Sequence, residues 1–116
     1  MLFMLLLHSD ESAEAALSSD ARRAIFEEHM RYSQELRERG VLKLSEPLAA
    51  SAEATVVRPD ADGRTIVTDG PFAETKEQLG GFYLIECADR AEAVEYAKRI
   101  PRSPGLAVEI RAVPSH

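Results

Sequence analysis

Apolar residues open the chain in one unbroken run, Leu2-Phe3-Met4-Leu5-Leu6-Leu7, before the polarity switches at His8-Ser9-Asp10-Glu11. Such a run reads as a strand covered on both faces or paired at an interface. It is too short to span a bilayer, and it has neither the basic flank nor the small-residue cleavage site of a signal peptide. After a polar loop the period changes. Ile25, Phe26, His29, Tyr32, Ser33 and Leu36 recur at threes and fours, which predicts a helix capped by Ser18, with Asp20 in its first turn. Gly40 supplies a left-handed stop near its end.

Downstream the pattern turns extended. Val41 to Leu44 begins a strand that Pro47 interrupts, and two β-prone runs, 54–58 and 64–68, flank the turn cluster Pro59-Asp60-Ala61-Asp62-Gly63 as a hairpin. Phe82 to Cys87 is strand-like. Asp89 caps a second helix reaching about Ile100, with Ala93, Val94, Ala97 and Ile100 on its stripe and Pro101, Pro104 and Gly105 at its exit. Leu106 to Val113 alternates Leu106, Val108 and Ile110 against Glu109 and Arg111, so one face is wet. The order predicts one α+β domain over residues 1–116, a ferredoxin-like βαββαβ-type sandwich with an added hairpin and both helices on one sheet face. The other face would be an exposed apolar patch, so a second copy is expected to cover it and the protein is expected to be a homodimer.

Charge and cysteine content narrow the function classes. Fourteen basic residues against twenty acidic ones leave a net charge of −6, which opposes nucleic acid as a partner. The arginines of the first helix are interleaved with glutamates, the pattern of a solvated face. Cys87 is the only cysteine; it rules out an intrachain disulfide and fits a reducing cytoplasm, with no membrane partner. Three histidines without close spacing and one cysteine make no metal set, and no Walker loop, dinucleotide fingerprint or Gly-x-Ser-x-Gly elbow is present. No cofactor is therefore expected.

One block stands out. Asp69-Gly70-Pro71-Phe72-Ala73-Glu74-Thr75-Lys76-Glu77, followed by Gly80-Gly81-Phe82-Tyr83, packs turn formers, charges and aromatics between two strand-like runs. It closely resembles the signature of the DGPF, or YCII-related, family, and the likeness extends over nearly the whole chain. The resemblance implies a dimeric α/β barrel built from two ferredoxin-like subunits. It also implies a His–Asp pair in a cleft as the proposed chemistry, and a genomic association with extracytoplasmic-function sigma factors.

Each candidate residue carries a structural reading beside the chemical one. His29, on an apolar stripe, needs a partner or a cavity and could relay a proton near neutral pH; alternatively it is a core histidine held by one hydrogen bond. Asp69 could orient that histidine as a catalytic partner, or simply fix the Gly-Pro turn. Phe72 could line a pocket or anchor its loop. Tyr83 could donate a phenolic proton or pack as core, and His8 could reach the same cleft from the end of the first strand. Thr75 reads as a turn cap, and Gly80-Gly81 as a point of close backbone approach. Cys87 reads as buried and inert, and His116 as terminal. Together these suggest a small organic ligand and cofactor-independent acid–base chemistry of isomerase or lyase type. The alternative is a non-enzymatic ligand- or protein-binding module in sigma-factor-linked regulation.

Overall fold

In the computed structural model, residues 1–115 are described. Nine residues, Leu2–Asp10, form strand β1, and a short helix α1 (Glu11–Ala15) follows without a loop. Asp10 makes this abrupt change possible: its carboxylate accepts the Ala13 amide, satisfying an orphan donor of the first turn. Helix α2 (Ser19–Glu38) is capped by the Ser18 hydroxyl on the Ala21 amide, and Gly40 leaves it at φ 74°, as the sequence predicts. Strand β2 (Leu42–Pro47) and a 3-10 turn (Ser51–Glu53) lead to the hairpin β3 (Thr55–Pro59) and β4 (Thr65–Asp69). Then come β5 (Glu77–Glu86), α3 (Arg90–Lys98) capped by Asp89, and β6 (Ala107–Val113).

The main sheet is antiparallel throughout, in the order β2-β5-β1-β6, while β3 and β4 pair only with each other. Without the hairpin, the four long strands follow the ferredoxin-like pattern, and the α+β fold predicted from the sequence is the fold observed. Phe3 and Leu5 on β1, Leu42 on β2, and Tyr83 and Ile85 on β5 form the core with Tyr32 and Leu36 of α2 and Ala93 of α3. Both helices therefore cover one face of the sheet. The other face carries Leu2, Met4 and Leu6 of β1 beside Phe82 and Leu84 of β5 and Leu44 of β2. Its residues on β1 and β5 are partly exposed, and Leu44 is 49% exposed. The smallest extent of the chain, 19 Å, is that of one sheet plus one helix layer.

Two segments differ from the sequence reading. The polar loop after the first strand contains α1, whose five residues are too few for a periodicity to show. Strand β5 begins at Glu77 rather than Phe82, so Gly80 and Gly81 lie inside a strand. The pairing shifts between Leu7 and His8, where β1 skips Gly80. Gly80 is thus the extra residue of a β-bulge. Close approach accounts for Gly81: a Cβ there would stand 3.0 Å from the Glu46 carbonyl oxygen on β2.

Candidate functional site

The bulge, α1 and the first half of α2 together leave space between helices and sheet. A cavity of about 400 Å³ is lined by Leu7 and Ser9 of β1, Glu11 and Glu14 of α1, Ile25, Phe26 and His29 of α2, and the 47–50 loop. A second, of about 430 Å³, adjoins it along α2 toward Gln34 and Arg37, reaching Ser45, Phe82 and Tyr83. Leu7, Phe26, His29, Pro47 and Gly80 line both. They are two lobes of one cleft with His29 on the dividing wall.

Each lobe has a local structural cause. Gly80 lines both lobes without filling them; a Cβ there would stand in ordinary contact, 3.7 Å, with Ser9 Oγ. The loop over the first lobe is tied down by Glu11, whose carboxylate accepts both the amide (2.8 Å) and the hydroxyl of Ser51. On the sheet side, the Leu48 amide donates to the Gly80 carbonyl at 2.9 Å. Phe26, which the helical stripe assigns to the core, is exposed on the cleft wall.

His29 Nδ1 lies 2.7 Å from the Tyr83 hydroxyl, with the two rings tilted and their centroids 5.9 Å apart. Tyr83 is itself core: its ring packs inward, and its hydroxyl is at hydrogen-bond distance from His29. Burial raises the Tyr83 pKa, so the phenol stays protonated at neutral pH. It can accept from Nδ1–H, leaving Nε2 to accept a proton, or donate to Nδ1, leaving a hydrogen on Nε2. Nε2 has no hydrogen-bond partner among the described residues. Burial also lowers the His29 pKa below the usual imidazole value, with the Glu28 and Glu14 carboxylates pulling the other way.

The remaining candidates lie elsewhere in the single chain. Asp69 ends β4, pairs with Thr55, and is exposed; it lines neither lobe. Its position in the register puts it on the same hairpin face as Val57 and Val67, which are 63% and 61% exposed. Phe72 is 78% exposed, with the Arg58 guanidinium 5.2 Å from its ring centre. His8, between the cleft residues Leu7 and Ser9, is bonded through Nε2 to Glu109 at 2.9 Å and lines neither lobe. Thr75 donates its hydroxyl to the Glu77 carbonyl, and Gln78 bonds the carbonyls of Ala73 and Thr75, so the motif braces its own loop. Cys87 is buried, donates to the Asp89 carbonyl at 3.5 Å, and has its thiol pKa raised by that burial. His116 lies outside the described residues.

Comparison with known proteins agrees with this architecture. The model of the YCII-related domain matches residues 1–114. The chain belongs to the YCII-related family. An uncharacterized protein of Rhizobium meliloti (strain 1021) is 41% identical over 98 residues, which cover 84% of this chain and 78% of that protein.

In this YCII-related chain the residues that sequence reasoning missed are Ser9, Glu11 and Glu14. Asp10 before a Glu- and Ala-rich stretch is an N-cap signal that marks α1 in the sequence. A helix so short gives no stripe, so nothing in the sequence says where its glutamates face.

The depressed His29 pKa has a consequence for stability. The folded chain holds its proton less tightly than the unfolded chain, whose histidine titrates near about 6.5. The stabilisation from neutral His29 is complete above that pH. It is lost as pH falls from there through the folded-state pKa. A His29→Gln variant is expected to flatten the stability profile below about pH 6.5, measured by urea unfolding across pH 4.5–8. An unchanged slope would place the titration elsewhere.

Proposed function

We propose that this protein is a cytoplasmic homodimer in which each subunit's cleft binds a small organic molecule, and in which His29 transfers protons without a cofactor. The observation that carries the reading is His29 itself: it stands on the wall shared by both lobes, held at Nδ1 by Tyr83, with Nε2 unbonded. With Nδ1–H donating to the Tyr83 oxygen, Nε2 takes a proton from an activated carbon of the ligand. The C–H electron pair passes into an adjacent carbonyl, forming an enolate, and the imidazolium returns the proton to the same or a neighbouring carbon. A neutral imidazole at physiological pH suits the first step, which is why the burial of His29 matters.

Asp69 lines neither lobe of its own chain. In this reading it reaches the cleft from the second subunit's hairpin and positions the ligand, because Tyr83 holds Nδ1 of His29 and the ligand faces Nε2. The hairpin face that bears it also bears the exposed Val57 and Val67, so docking that face would bury Asp69 with it. Phe72, at the foot of the same hairpin, would line the cleft on the partner's side. Both subunits would then be needed for a complete site.

Deuterium incorporation tests the chemistry without knowledge of the natural substrate. Small cyclic ketones and lactones in D₂O should exchange their α-hydrogens faster with the wild-type protein than with buffer, read by proton NMR. His29→Ala should lose that acceleration by about 10²-fold or more while remaining folded. A His29→Ala protein exchanging as fast as wild type would exclude the mechanism and leave a binding module.

A further inference from the structure

The first lobe holds three polar groups on its β1–α1 side, and they are not equivalent. Both oxygens of Glu11 are occupied by Ser51. Glu14 accepts at Oε1 from the hydroxyl of Ser9, a residue 7% exposed, while its Oε2 has no hydrogen-bond partner among the described residues. Glu14 is half-buried and forms no ion pair with Arg22, the one cationic side chain lining this lobe. The opposite walls are apolar: Leu7, Leu17, Ile25, Phe26, Leu48 and Leu106.

We infer that Glu14, tethered by Ser9, is the recognition group of this lobe, and that the cleft selects small molecules with an apolar body and a cationic nitrogen. The reasoning is one of complementarity. A carboxylate in a cavity walled largely by apolar side chains, with one oxygen free of protein partners among the described residues, offers a protonated amine both an opposite charge and a hydrogen bond. Glu11 cannot take that role because Ser51 saturates it. With His29 neutral, two carboxylates and one guanidinium leave this lobe with a net charge of −1. The whole chain, at −6, favours a cation in the same direction. At about 400 Å³ the lobe accommodates a ring-sized body, with the reacting end toward His29.

The inference rests on the proton-transfer reading for what happens at His29, but its test is independent of turnover. Benzylammonium, benzyl alcohol and benzoate share one apolar body and differ in charge. Titrated against the isotope-labelled full-length protein by NMR, benzylammonium is expected to bind most tightly and to shift resonances of Glu14, Ser9 and His29. Glu14→Gln, which keeps the acceptor for Ser9, should weaken benzylammonium about 10-fold or more and leave benzyl alcohol unchanged. Benzoate binding as well as benzylammonium, with the affinity lost in Arg22→Ala, would overturn the assignment in favour of an anion site. Unchanged benzylammonium binding in Glu14→Gln, or no binding at all, would also overturn it. Failure here with His29-dependent exchange of neutral ketones intact would remove only the charge selection. Binding without exchange would remove only the proton transfer.

Discussion

Leu6→Asp is expected to give a folded monomer by breaking the dimer proposed for the wild-type chain. Leu6 stands at the centre of the uncovered sheet face, opposite Phe82 on β5 and Glu109 on β6, one pair along from Met4 opposite Leu84. In a lone subunit this face meets water, so a carboxylate there costs little and the helix-covered core is untouched. In a sheet-to-sheet dimer, two such carboxylates would be buried among apolar side chains, each beside Glu109 and with only the diagonal Arg111 as a cation within reach. At roughly 2 kcal/mol or more each, they should weaken association at least about 1,000-fold. Sedimentation equilibrium separates the outcomes, since the subunit mass is 12.8 kDa and a dimer has twice that. A wild-type chain that sediments as a monomer would remove the dimer. A Leu6→Asp protein that stays dimeric would mean that the sheet face is not what holds the subunits together and that the docked hairpin face around Val57 and Val67 carries the interface.

The features legible in the sequence are those written in local chemistry. Ser18, Asp89 and Gly40 mark helix ends by hydrogen-bonding capacity and permitted φ, and each does so in the structure. The hairpin turn is equally local: Asp60 accepts the amides of Asp62 and Arg64, and Gly63 adopts φ 80°. His29 stands out because a titratable ring on an apolar stripe needs an explanation. Its partner does not stand out. Tyr83 lies 54 positions away, and only the register of β5 beside β1 and beneath α2 brings the hydroxyl to the imidazole. Asp69 attracts attention because its motif is conspicuous, yet in the single chain that motif shapes a loop and a hairpin end. Glu14 is the opposite case, an unremarked residue in a polar segment that one turn of helix turns into the cleft.

The largest loss of stability is expected from Ile85→Ala. Ile85 is fully buried on β5, between Phe3 of β1 and Leu42 of β2, and it belongs to the core cluster shared by both helices. Removing three carbons there sacrifices their burial and leaves a cavity that surrounding strands can only partly close. The expected cost is about 2–5 kcal/mol, a large part of the total for a domain of this size. Leu44, two residues into β2 and 49% exposed on the open face, is the contrasting site; Leu44→Ala in a monomer should cost under about 1 kcal/mol. Because dimerisation adds concentration-dependent stability, both belong in the Leu6→Asp background, where urea midpoints report the subunit alone. In the dimer the order should tighten, since Leu44 would then lie at an interface and its truncation would acquire a cost it lacks in the monomer. A Leu44 penalty that stays the same in both backgrounds would mean that β2 lies outside the covered part of the face. An Ile85 penalty no larger than that of Leu44 would contradict the assignment of the core itself, and with it the packing of α2 that holds His29 against Tyr83.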